Sequence, residues 1–213
     1  AGFKRIAAIG MLGWSRVTCL MLDSSASDLS CWQKALADNA FGRPLTIIEQ
    51  ARAAAGLLGV CESENKAIAV ARSLGLAFNK DLIDKLARLL SLPAAVKKAV
   101  ADGHMSFNSA LALEKADESS AKILADLFTG LRPTVSHQQE ILTGLYELAC
   151  LRGIVIADVI HDLSLSDILS DPDTHRREKL QIFRKTLHRV RFPRLSRAED
   201  LFELRKKNLC LPD

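Results

Sequence analysis

Along most of the chain hydrophobic residues recur at intervals of three and four, the spacing of helices that each bury one apolar stripe. The clearest stripe is Leu82, Ile83, Leu86, Leu89 and Leu90. Asn79 stands before it as a side-chain cap and Pro93 marks its end. Upstream, Val70, Ala71 and Leu74 run into Gly75, a residue suited to the left-handed turn that closes a helix. Two short helices joined by a Gly-containing turn are what a helix-turn-helix requires, the second helix being the one that reads DNA. The same spacing describes helical hairpins that never meet DNA, whose outer face is simply solvated.

Read in order, the chain opens with a short helical run over residues 6–13, followed by Val17, Thr18, Cys19, Leu20, Met21 and Leu22, a β-branched and apolar stretch that predicts a buried strand. A helix over 28–38 follows. Thr46 with Glu49 forms a capping box for a helix over 47–58, whose expected apolar face is Ile47, Ala51, Ala54, Ala55 and Leu58. Ser63 caps the first helix of the hairpin. After Pro93 the pattern predicts helices over 94–101, from Ser106 to about 115, over 119–131, and over 136–151 with Gly153 as its close. The short linkers suit a compact bundle. A turn of helix is expected at 167–169, then a long basic helix over 174–192 broken by Pro193, and a capping box of Ser196 and Glu199 opening a final helix.

Composition supports this reading. Of 213 residues 48% are hydrophobic and only 5% aromatic, with Ala and Leu dominant, which favours helix over sheet and a packed core over disorder. Length allows one large domain or two smaller ones. No uncharged apolar run is long enough to span a membrane. The five cysteines are odd in number and widely spaced, without a CxxC pair, so a reducing cytoplasm is expected. The net charge of +4 is unevenly spread. Residues 176–207 carry twelve Lys and Arg against four acids, a local net of +8. That segment suits phosphate, an acidic partner, or the wet side of a packed helix.

A family resemblance rests on an ordered set of boxes. Gly2-Phe3-Lys4-Arg5-Ile6-Ala7-Ala8, with Gly13 and the stretch at Val17, resembles the second box of the ParB-like domain of chromosome and plasmid partition proteins. Asp38-Asn39 with Arg43 is similar to that family's acidic-Asn-x-x-Arg box, and Thr46, Glu49 and Ala51 fall where its next helix begins. The hairpin ending Leu89-Leu90-Ser91-Leu92-Pro93 resembles its helix-turn-helix, and Ala101-Asp102-Gly103-His104-Met105-Ser106 its following Gly-Lys-Leu-Ser turn. Phe3 stands for an acidic residue, Lys4 for an arginine, and Gly42 for the expected arginine one place before Arg43. Asn108-Ser109-Ala110-Leu111 replaces a Gly-His-x-Arg found in many members.

The resemblance implies a mainly α fold. A small α/β remnant over 1–44 precedes a ParB/KorB-type helix-turn-helix bundle over 45–155, and C-terminal basic helices occupy 156–213. It implies double-stranded DNA as partner, a homodimer, a role in partition or transcriptional regulation, and a partition ATPase as a further partner. It also implies association with the nucleoid or a plasmid. The expected DNA-binding residues are Arg72, Asn79, Lys80, Lys85, Arg88, His104 and Ser106. Many members bind and hydrolyse CTP, which here would draw on Gly2, Lys4, Arg5, Asn39 and Arg43, in a pocket incomplete without the strand preceding the second box. The bland alternatives are a solvated basic pair at 4–5, an exposed loop histidine at 104, and an interaction module without DNA readout. Asp81 and Asp84 favour the last, as do the six basic and five acidic residues of 46–93. No GxSxG, HExxH, Walker or Rossmann motif is present, so no catalytic residue is assigned and CTPase activity is expected only with the upstream segment. Asp158, His161 and Asp162 lack a further metal ligand and are expected as a helix-surface cluster.

Overall fold

A computed structural model describes residues 3–19, 21–40, 43–165 and 174–208. Every regular element among them is helical, which agrees with the mainly α fold expected from the sequence but not with the strand expected at Val17. They fall into two compact units, residues 1–91 and 92–213.

In the first unit α1 (Phe3–Met11) and α2 (Asp28–Ala40) lead to a trio, α3 (Ile47–Val60), α4 (Glu64–Ser73) and α5 (Lys80–Ser91). Helix α3 is the platform on which α2, α4 and α5 each pack. It buries Ile48, Ala51, Ala53, Ala54 and Leu57, while Ala55 and Leu58 face outward. The buried face is therefore rotated by about one position from the expected one. Alanines on every side of α3 give a periodicity reading little to choose between, and the packing of α5 decides.

The stretch at Val17 is not a strand. Residues 17–19, 21 and 22 are irregular and exposed, Met21 at 83%. A β-branched run becomes a strand only when a neighbour pairs its backbone, and no described residue does so.

In the second unit α8 (Glu118–Leu131) and α9 (Val135–Arg152) form the centre. Helices α6 (Ala94–Ala101) and α10 (Ile156–Asp162) pack on α8, and α7 (Phe107–Ala112) and α10 on α9. A 3-10 turn, Leu113–Lys115, continues α7. The basic helix α11 (Arg176–Arg191) docks on both α8 and α9, and α12 (Pro193–Asn208) follows it.

Two ion pairs show how α11 lies. Arg184 pairs with Glu140 at 2.7 Å and Arg191 with Glu147 at 2.5 Å, so numbering rises together along both helices and they run parallel. Between these pairs Leu187 sits on Gly144, with Phe183 fully buried nearby in the sequence. Much of the basic charge of α11 is thus neutralised inside its own unit, and Arg189 is paired with Asp200 of α12. That is the wet side of a packed helix.

Helix α12 starts at Pro193, not after Ser196. Proline fits the first helical position, where its missing N–H costs nothing, so it opens this helix as well as ending the last. Ser196 lies inside the first turn, buried, its Oγ without a partner, and makes no capping box. The turn expected at 167–169 lies outside the described residues.

Candidate nucleic-acid interface

The turn between α4 and α5 is built by backbone hydrogen bonds and two caps. Gly75 adopts φ +77°, and its N–H donates to Arg72 O at 3.0 Å while that of Leu76 donates to Ala71 O at 2.9 Å. These are the paired bonds of a Schellman close, which a residue with a Cβ would strain. Asn79 then caps α5, its Oδ1 accepting from Leu82 N at 2.8 Å. Phe78 and Ile83, both buried, occupy the two staple positions that fix the angle of entry into α5. Phe78 escaped the sequence reading, although an aromatic immediately before a cap is its signal.

Helix α5 buries Ile83, Leu86 and Leu89 towards the core, with Leu82 and Leu90 half-buried at the edges of the stripe. Its other face carries Lys80, Asp81, Asp84 and Arg88, all exposed, and Lys85, half-buried. Lys85 Nζ lies 2.7 Å from Asp81 Oδ2. Arg72 is exposed in the last turn of α4, and Asn79 is exposed but engaged as the cap. Five of the seven expected DNA-binding residues therefore lie on α4, α5 or the turn joining them.

His104 and Ser106 belong to the second unit, in the turn before α7. This turn is held by Gln138 of α9, which is 3% exposed. Its Oε1 accepts from Ser106 N at 2.9 Å, and its Nε2 donates to His104 O and Pro133 O, each at 3.1 Å. Ser106 Oγ accepts from Ser109 N at 3.1 Å and contacts Ser109 Oγ at 2.8 Å, so its hydroxyl serves the local cap. His104 is half-buried, with Nδ1 enclosed and unpartnered. Gln138 could have been found from sequence, since it continues the stripe of Ile141, Leu142 and Leu145 with a polar group that burial obliges to find partners.

The residues of the nucleotide reading are placed as follows. Gly2 lies outside the described residues, and Lys4 lies on α1. Arg5 donates to Asp38 Oδ2 at 2.7 Å. Asn39 Nδ2 donates to Ala35 O at 2.6 Å. Arg43 grips Glu49 through two hydrogen bonds, at 2.7 and 2.5 Å, and donates to Pro44 O at 3.1 Å. Both arginines are thus held by carboxylates of the first unit.

Glu49 is the acid of the expected capping box. It also accepts from Thr46 N at 2.8 Å, while Thr46 Oγ1 accepts from Glu49 N. The Arg43 bonds first, and the Thr46 donors after them, hold its carboxyl down at about 2 against an ordinary 4.5, outweighing burial. A depressed folded-state pKa gives stability that is complete above the ordinary value and fades as pH falls through the folded one. Glu49→Gln keeps the capping-box geometry but loses the charged pairing with Arg43, and is therefore expected to destabilise by about 1 kcal/mol near neutral pH. In urea unfolding at successive pH values, the gap from wild type closes between about pH 4.5 and pH 2. A gap independent of pH would show that the charge of Glu49 contributes nothing.

Asp158, His161 and Asp162 are exposed on α10, and Asp162 lies 3.6 Å from Arg152. Among the described residues no helix is long and apolar enough to cross a membrane. Cys19, Cys31, Cys61 and Cys150 are free thiols.

Comparison with known proteins agrees with this geometry. Residues 43–142 match the model of the ParB HTH domain. Over 123 residues the chain is 32% identical to a nucleoid occlusion protein of Oceanobacillus iheyensis, a match covering 58% of this chain and 41% of that protein. The chain thus spans well under two thirds of this relative. No solved structure matches it. The segment of this chain from residue 43 to residue 142 belongs to the ParB-like helix-turn-helix family.

Proposed function

We propose that the protein binds duplex DNA by placing α5 in the major groove, and that it does so in a ParB-like partition role. The observation that carries this reading is the rigidly capped hairpin of α4 and α5, within the matched domain, that turns Lys80, Lys85 and Arg88 away from the core. The first residues of such a second helix reach base edges, and neighbouring lysines and arginines meet phosphate. Among the described residues Arg72 and Lys80 make no ion pair, so their charge is available to a polyanion. A dimer on paired half-sites is the assembly such a module would use. The relative's name, nucleoid occlusion protein, favours chromosomal DNA as the partner.

The nucleotide reading draws on Arg5 and Arg43, and both are already engaged by Asp38 and Glu49, which leaves DNA as the better supported ligand. The test is fluorescence anisotropy on a labelled random duplex with wild type, Arg72→Ala and Lys80→Ala. Each variant is expected to weaken binding on all sequences alike. Equal binding by all three proteins would remove α4 and α5 from the interface.

A further inference from the structure

We infer that Asp81 and Lys85 together form a specificity-determining couple, matched to the major-groove edge of a C·G base pair. The inference rests on the DNA-binding reading above and deepens it. Asp81 lies in the first turn of α5 and Lys85 one turn on, with Oδ2 and Nζ 2.7 Å apart and side chains 74% and 41% exposed. As helix glue, an exposed pair of this kind contributes little. In front of DNA it has a larger consequence. A carboxylate on the reading face repels phosphate and weakens binding to every duplex that offers it no donor.

Such a couple needs a donor for the carboxylate beside an acceptor for the ammonium. A C·G pair presents the cytosine N4 amino group next to guanine O6, with guanine N7 as a second acceptor beyond it. Asp81 would accept from cytosine N4, and the Lys85 ammonium, held alongside, would face O6 and N7. An A·T pair also has a donor beside an acceptor, at adenine N6 and thymine O4. There, however, adenine N7 faces the carboxylate with a lone pair, and the thymine methyl stands next to the ammonium. The couple therefore selects C·G over A·T at the position under the first turn of α5. This also gives Asp81 a use that simple electrostatic binding does not.

Selection from a random duplex library with wild type, Asp81→Ala and Asp81→Asn tests the idea, with circular dichroism confirming that all three fold. For wild type one position of the recovered site is fixed as C·G. Asp81→Ala flattens that position, reducing discrimination there by about tenfold, while raising affinity for random duplex. Asp81→Asn shifts the same position towards adenine, because an amide pairs with adenine N6 and N7. A recovered site unchanged in both variants overturns the proposal and leaves DNA binding intact. Failure of wild type to bind any duplex overturns both.

Discussion

Replacing Gln138 with leucine is expected to lower the stability of the second unit by about 3 kcal/mol, a large effect for a single side chain. Three backbone groups depend on this amide: Ser106 N, His104 O and Pro133 O. They lie 32, 34 and 5 residues away in sequence, so one side chain ties the turn before α7 and the loop before α9 to the same point. Leucine fills the space but leaves one donor and two acceptors shielded from water, and a stranded buried polar group costs more than its bond contributed. Methionine separates packing from hydrogen bonding, because it is flexible and of similar volume. Urea unfolding followed by circular dichroism should place both variants well below wild type. A methionine variant as stable as wild type would show that Gln138 acts only as filler.

The second large effect concerns a glycine that helix propensity alone would misjudge. Gly56 lies inside α3, where alanine is ordinarily better by about 1 kcal/mol. Here the indole of Trp32 rests on it, and a Cβ would come within 2.3 Å of Trp32 Cη2 and Cζ2. An indole is rigid, so it cannot yield by bending one terminal atom. Gly56→Ala must push Trp32 off α3 and open the packing between α2 and α3, with a net loss of about 2 kcal/mol. Three residues on, Gly59 has nothing within 4 Å of the same added atom. Gly59→Ala is therefore expected to stabilise by about 0.5 kcal/mol. Tryptophan fluorescence during urea unfolding reads both. Matching signs for the two variants would show that the Trp32 contact does not hold α2 to α3.

The parts of the fold that were legible in the sequence are those fixed within a few residues. Gly75, Asn79, the Thr46 and Glu49 box, Ser63 and Gly153 each act on their own helix end, and each stands where the pattern put it. The parts that were not legible depend on distant neighbours. Whether α3 turned Ile47 or Ile48 inward was set by α5, and the alanines between them carried no information. Whether the stretch at Val17 became a strand depended on a pairing partner, which its own residues cannot specify. Pro193 reads equally well as a stop or a start, and only the placement of α12 distinguishes them. The outward face of α5 was legible because three residues of its stripe, Ile83, Leu86 and Leu89, are buried and fix its rotation. The latch through Gln138 was half legible: burial followed from the stripe, but its partners did not.

DNA reading by the α4–α5 hairpin is tested most directly by the salt dependence of binding to a random duplex, measured by anisotropy from low to physiological ionic strength. The prediction is a linear fall of log K with log salt, steep enough to reflect several phosphate contacts. The slope should become shallower by about one in both Arg72→Ala and Lys80→Ala. No binding at micromolar protein in low salt, or binding whose strength ignores salt, would contradict the claim that this capped hairpin is a DNA-reading element.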